Sequence, residues 1–210
     1  MKKLAFSWLI LMTSLLGNGA HAEAQLGKEY TLLASAQPSS KQKIEVLEFF
    51  FYQCGHCFHL HPLLAQWEKT KARDVEINYV PTIFQAGAEP AATAFYALES
   101  MGQIKQVDDA LYQAIHVKQL GLFDLDSISA VVTKNGVDKA KFAAAYNSFS
   151  VQSKVTQAKQ MIRTYNIQGT PTLIVDGRFV ITGLQPADTI RVLDEVINQV
   201  RKARTPSKKH

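Results

Sequence analysis

Cys54 and Cys57 are the only cysteines in a chain of 210 residues, separated by two residues in the run Cys54-Gly55-His56-Cys57. No thiol is left over for a separate structural bridge. A bridge across this spacing restrains little chain, because stabilisation by a disulfide grows with the loop it closes. The chemistry such a pair supports is thiol–disulfide exchange, whose nucleophile is the thiolate. Residues 44–52 before the pair are β-branched and aromatic and predict a buried strand; after it, Leu60, Leu63, Leu64 and Trp67 recur at helical spacing. Cys54 is therefore expected at the first turn of a helix, where unpaired N–H groups carry partial positive charge. That is worth up to ~2 kcal/mol against ~1.36 kcal/mol per pKa unit, enough to lower Cys54 from about 8.5 toward about 7. His56 can donate a hydrogen bond to the thiolate or add positive charge, pushing the same way. Cys54 should be the exposed attacking thiol and Cys57, one turn in, the buried resolving thiol. Stabilising the Cys54 thiolate favours the reduced form and makes the disulfide more oxidising.

Glu48 stands inside that strand, six residues before Cys54, between Val46-Leu47 and Phe49-Phe50-Phe51. A buried carboxylate there costs free energy unless bonded, and its pKa should rise. From beneath the pair it can pass a proton to Cys57; the neighbouring strand, residues 75–80, offers Asn78 or water as its partner. The third candidate is Gly169-Thr170-Pro171-Thr172, a proline opening a strand. If cis and facing the cysteines, Thr170 and Pro171 would leave backbone groups free for an extended substrate to pair with. Zinc is disfavoured, since Cys54, Cys57, His59 and His61 crowd one junction without the spacing of a zinc module. Haem attachment needs a histidine directly after the second cysteine, where this chain has Phe58. His116 reads as a structural or solvated residue on a helix face.

The N-terminus supplies an address. Lys2 and Lys3 precede an uncharged run from Leu4 to Leu16, and Ala20-His21-Ala22 is an A-x-A cleavage site. Residues 1–22 thus read as a signal peptide, the apolar run being shorter than the roughly 20 residues of a membrane span. The mature chain should be exported, soluble and large enough to bury a core without staples. Trp8 would leave with the leader, making Trp67 a redox reporter. With 23 Lys and Arg against 18 Asp and Glu the formal charge is +5. No interleaved aromatic and basic pattern points to nucleic acid, and the basic residues from 201 onward read as a solvated tail.

Strand, C-x-x-C, helix is a thioredoxin-like redox arrangement. Further strands are expected at 30–33, 75–80, 172–175 and 179–182, the last two joined at the turn signal Asp176-Gly177. A closing helix runs from Pro186 through Val200. Between Ile83 and Gln168 the pattern is wholly helical: a segment opened by Pro90, a stripe of Ile104, Val107, Leu111 and Ile115, a helix capped by Asp126, another capped by Asp138, and a longer one through Val151 and Tyr165. The expectation is an α/β, thioredoxin-like fold with an inserted all-helical domain. Its parts are 23–82 and 155–203 for the thioredoxin-like domain, 83–154 for the insertion, and 204–210 for a basic flexible tail.

Taken together, Val46-Leu47-Glu48-Phe49-Phe50, the C-x-H-C box, the helical insertion and Gly-Thr-Pro in one exported chain resemble the DsbA family of periplasmic thiol:disulfide interchange proteins, over essentially the whole mature chain. The resemblance implies an oxidant that donates the Cys54–Cys57 disulfide to newly exported, cysteine-containing proteins. A quinone-linked membrane oxidoreductase similar to DsbB would reoxidise it. The family's carboxylate falls on Glu48 and its cis-proline on Pro171, and no cofactor beyond the cysteine pair is implied. Gly55 stands where the best-known members have proline, His61 where some relatives carry an acid, and Asn78 where some carry a lysine. Two alternatives remain: a reductase or isomerase of the same fold, and a peptide-binding holdase indifferent to its thiols. The separate N-terminal dimerisation domain of periplasmic isomerases has no counterpart between residues 23 and 44, so a monomer is expected.

Overall fold

The seven residues Ile44–Phe50 form the strand on which the rest is assembled (β2), and six of the seven are buried. β-Branched and aromatic side chains suit a pleated surface covered on both sides. The computed structural model describes residues 23–205; the signal peptide expected at 1–22 lies outside them. Two-residue β1 (Thr31–Leu32) precedes β2, and helix α1 (Gly55–Thr70) and β3 (Val75–Pro81) follow. A 3-10 turn at Ala86–Ala88 leads into five helices: α2 (Glu89–Ser100), α3 (Ile104–His116), α4 (Leu125–Lys134), α5 (Lys139–Tyr146) and α6 (Phe149–Thr164). The chain then returns to the sheet with β4 (Thr172–Val175), β5 (Phe179–Thr182) and α7 (Pro186–Arg204).

The sheet order is β1-β5-β4-β2-β3, so β2 lies inside it, parallel to β3 and antiparallel to β4. Side chains alternate across a strand, which divides β2 between two cores. Val46 packs with Leu60, Leu64, Leu173, Val192 and Val196 beneath α1 and α7. Leu47 and Phe49 join Ile174 and the apolar faces of α2 to α6. Glu48, one period from Val46 and paired with Leu173 and Tyr79, therefore points to the α1 side.

Local chemistry sets the helix starts. Asp138 and Ser148 accept hydrogen bonds from the N–H of Lys141 and Val151, capping α5 and α6. The cap of α4 is Asp124, which accepts from Ser127, whereas Asp126, expected there, lies inside the first turn. Its charge still favours the helix N-terminus. The break expected between residues 154 and 155 falls within α6, continuous from Phe149 to Thr164. The C-terminal end also departs from expectation. Helix α7 continues to Arg204 because Arg201 is held by both oxygens of Asp74, and Arg204 donates to the carbonyls of Ser40 and Lys43 and to Asp176. Only residues 206–210 of the expected tail lie outside the described residues. At the β4–β5 turn Asp176 and Gly177 both have positive φ, and a Cβ on Gly177 would come within 2.2 Å of the Gln37 carbonyl oxygen.

Candidate functional site

Cys54 is the N-cap of α1, with extended backbone, and its sulfur accepts from the Cys57 N–H at 3.4 Å. Both cysteines are free thiols, Cys54 partly exposed and Cys57 fully buried. Residue 54 caps because β2 ends at Phe50 and the turn bond from the Cys54 N–H to the Phe51 carbonyl reverses the chain. Thr170 comes up from the start of β4, and the Cys54 thiol lies 3.3 Å from its carbonyl oxygen. The Thr170–Pro171 peptide is cis, so the Gly-Thr-Pro segment borders the sulfur.

These contacts push the two thiols apart. Cys54 is lowered to about 5, first by the hydrogen bond from the Cys57 thiol, then by the side chain of Thr170 and the backbone N–H groups of Cys57 and His56, all against the cost of burial. Donors aimed at the sulfur thus add to the helix terminus. The Cys57 thiol is driven far up, first because its proton is held toward Cys54, then by burial and by the charge of Glu48. His56 contributes through its main chain; its exposed imidazole has no hydrogen bond to Cys54 among the described contacts.

Glu48 is 4 % exposed. Burial raises it to about 8, and the charges of Asp108 and Cys54 add to the effect. The expected partner Asn78 is turned away: it sits opposite Leu47, is exposed, and donates to Glu45 instead. Alternation along a strand separates neighbouring residues, which the reading of Asn78 overlooked. Trp67 is remote as well. Ten residues past Cys57, about 15 Å along the helix, its indole N–H donates to Asp194 of α7 at 2.7 Å, so its environment is set by the opposite end of the domain.

Two residues without a sequence-derived role stand at the site. The His116 Nε2 lies 2.7 Å from the Tyr52 carbonyl oxygen, and its ring stacks on Phe58 at 4.7 Å, tying the end of α3 to the turn before Cys54. Asp108 of α3 accepts from the Tyr52 hydroxyl at 2.5 Å and faces His61 at 3.6 Å. The signal for Asp108 was present: it falls four residues after Ile104 and four before Tyr112, on the inward face of α3.

A family model for the DSBA-like thioredoxin domain matches residues 64–193. The thiol:disulfide interchange protein DsbA of Burkholderia cepacia is 35% identical over 210 residues, covering 96% of this chain and 98% of that protein. DsbA of Pseudomonas aeruginosa PAO1 is 33% identical over 208 residues, covering 97% and 99%. Among solved structures, Pseudomonas aeruginosa DsbA superposes with a TM-score of 0.81 at 33% identity over 86% of this chain and 96% of its own. The oxidoreductase DsbA of Xylella fastidiosa gives 0.79 at 30% identity, over 85% and 98%.

Proposed function

Because the chain belongs to the DsbA family and is a thiol:disulfide oxidoreductase, we propose that it works in the donor direction, oxidising newly exported proteins in the periplasm through the Cys54–Cys57 disulfide. The observation that carries this reading is the stabilised Cys54 thiolate, lowered to about 5 by donors already in place. Stabilising the reduced product makes the disulfide a stronger oxidant.

A substrate thiolate attacks Sγ of Cys54. The Cys54–Cys57 bond breaks, its electron pair leaves on Cys57, and Cys57 takes up a proton. Glu48, kept protonated up to about pH 8 by burial, is the group suited to supply that proton. A second substrate thiolate then attacks the substrate sulfur of the mixed disulfide, and Cys54 departs as its stabilised thiolate. The substrate has lost two electrons and two thiol protons; the cysteine pair has gained the electrons. A quinone-linked membrane protein similar to DsbB would remove them again, with no cofactor other than the pair. The backbone at Thr170 and Pro171, beside the sulfur, suits an extended substrate segment pairing by strand addition. The segment 1–22 would direct export, and the mature chain would act as a monomer.

The test is disulfide formation in a reduced, unfolded substrate. Cys54→Ser should abolish it, and Cys57→Ser should accumulate a mixed disulfide through Cys54, visible as a shifted band that reductant removes. Full activity of Cys54→Ser would end the mechanism and favour a holdase. Wild-type protein that only reduces substrate disulfides would reverse the direction.

A further inference from the structure

The loop that borders the Cys54 sulfur presents three successive carbonyl groups, and they are held differently. Thr172, the first residue of β4, donates from its hydroxyl to the Gly169 carbonyl at 2.8 Å. Thr182, the last residue of β5 and the register partner of Thr172, donates to the Pro171 carbonyl at 3.2 Å. The two hydroxyl oxygens lie 2.9 Å apart, so the donors also support each other. The middle carbonyl, that of Thr170, is the one that faces Cys54, 3.3 Å from its sulfur.

Gly169 leaves this backbone permissive: it carries no Cβ, and one built there would meet no atom within 4 Å. The threonines supply restraint in its place. Thr172 is 4 % exposed and β-branched, with few rotamers open to it, so its hydroxyl is a fixed donor. Each hydroxyl has a single proton to give, and one from each residue suffices for the two flanking carbonyls. We propose that Thr172 and Thr182 are positioning residues that clamp the carbonyls of Gly169 and Pro171 and so aim the Thr170 backbone at the cysteine-bearing segment of a substrate. They act through residue 170 rather than on the sulfur. The inference rests on the reading that a substrate pairs with this backbone by strand addition.

Valine in either place keeps the branched shape that suits a strand and removes the hydroxyl donor. A positioning role and a packing role then separate. Damage to packing around the cysteines slows every attacking thiol alike, whereas a misaimed loop slows only thiols carried on a peptide backbone. The loss of one hydrogen bond corresponds to about a fivefold change in rate.

The test compares two thiols attacking the oxidised protein: a peptide with one cysteine, and β-mercaptoethanol, which has no backbone to pair. Thr182→Val, at an exposed position, should slow the peptide about fivefold and leave the β-mercaptoethanol rate unchanged. Thr182→Ser, which restores the hydroxyl, should return the peptide rate to that of the wild type. Thr172→Val should show the same selective loss, and Thr182→Val decides the matter if the buried variant does not fold. A peptide rate within about twofold of wild type in either folded valine variant, or equal slowing of both thiols, overturns the positioning role. The same peptide N-methylated at the residues flanking its cysteine tells the two failures apart. If the wild type reacts more slowly with the methylated peptide while the valine variants match it on the plain one, strand addition stands and the threonine clamp falls. If the wild type does not distinguish the two peptides, strand addition falls and the clamp with it.

Discussion

Acidification should erase most of the advantage that the dithiol form of this protein holds over its disulfide form. The Cys54 thiol falls from an ordinary 9.0 to about 5 in the folded dithiol protein. At pH 7 the folded thiol is ionised and the unfolded one is not, so about two pH units of that difference are realised, or ~2.7 kcal/mol. Cys54 is only partly buried, and solvent screening reduces the figure to about 2 kcal/mol. For a two-electron couple this is ~40 mV of oxidising power. An acid whose folded pKa is depressed stabilises the fold in full above its unfolded pKa and loses the contribution as pH falls through the folded value. The stabilisation should therefore grow from pH 7 to about 9 and disappear between about 7 and 4. The disulfide form has no thiol to titrate, so the contribution is confined to the dithiol form. Glu48 ionises in both forms and largely cancels from the difference. The assay is urea unfolding of both forms at three pH values, with thiolate absorbance followed in parallel and oxidation state fixed by alkylation. A stability gap that stays constant from pH 4 to 9, or a thiolate transition near 9, would refute the reasoning.

Glu48→Gln should flatten the pH dependence that both forms share. Burial raises Glu48 from 4.5 to about 8, so the wild-type fold loses stability as pH climbs through that interval, by ~3 kcal/mol at pH 7; the glutamine variant should lose none of it, at the cost of a slower proton-coupled release of Cys57. Denaturant midpoints at pH 5 and 9 check this, and equal slopes for both proteins would contradict it. Gly177→Ala should destabilise without touching exchange, because φ is +61° and the new Cβ meets the Gln37 carbonyl oxygen at 2.2 Å. A cost of about 2 kcal/mol would lower the melting temperature by ~4–8 °C, and a shift within about 1 °C would argue that the turn adapts.

Legibility in the sequence followed the range of each interaction. The β2 strand and α1 announce themselves by residue type and period, and Asp176-Gly177 by its turn chemistry, because each is decided within a few residues. Asp138 was readable as a cap for the same reason, whereas Asp124 and Asp126 are both plausible caps two residues apart, and only backbone geometry separates them. Asp108 and His61 are 47 positions apart in the numbering, and what joins them is α3 packing on α1, a contact no local pattern encodes. Arg201 and Arg204 look like tail charges until α7 brings them over Asp74 and the segment before β2. Asn78 was misassigned for a simpler reason: it pairs with Leu47, so the pleat turns it from Glu48.

The same packing explains why the reactive pair sits where it does. A thiolate at the tip of α1 is stabilised by donors that cost nothing to arrange, since the N–H groups of Cys57 and His56 have no partner in a helix that begins at Gly55. Its partner sulfur, one turn deeper, lies above a strand that must be apolar to hold the sheet together, which is why the carboxyl beneath it is held neutral. Negative charge is thus favoured at the exposed end of the pair and disfavoured at the buried end, over the length of a single helical turn. In the donor direction proposed above, the electron pair arriving on Cys57 would meet a fully buried site, and Cys54 would depart into the N–H groups of the first turn. On that proposal helix α1 would favour the direction of the reaction.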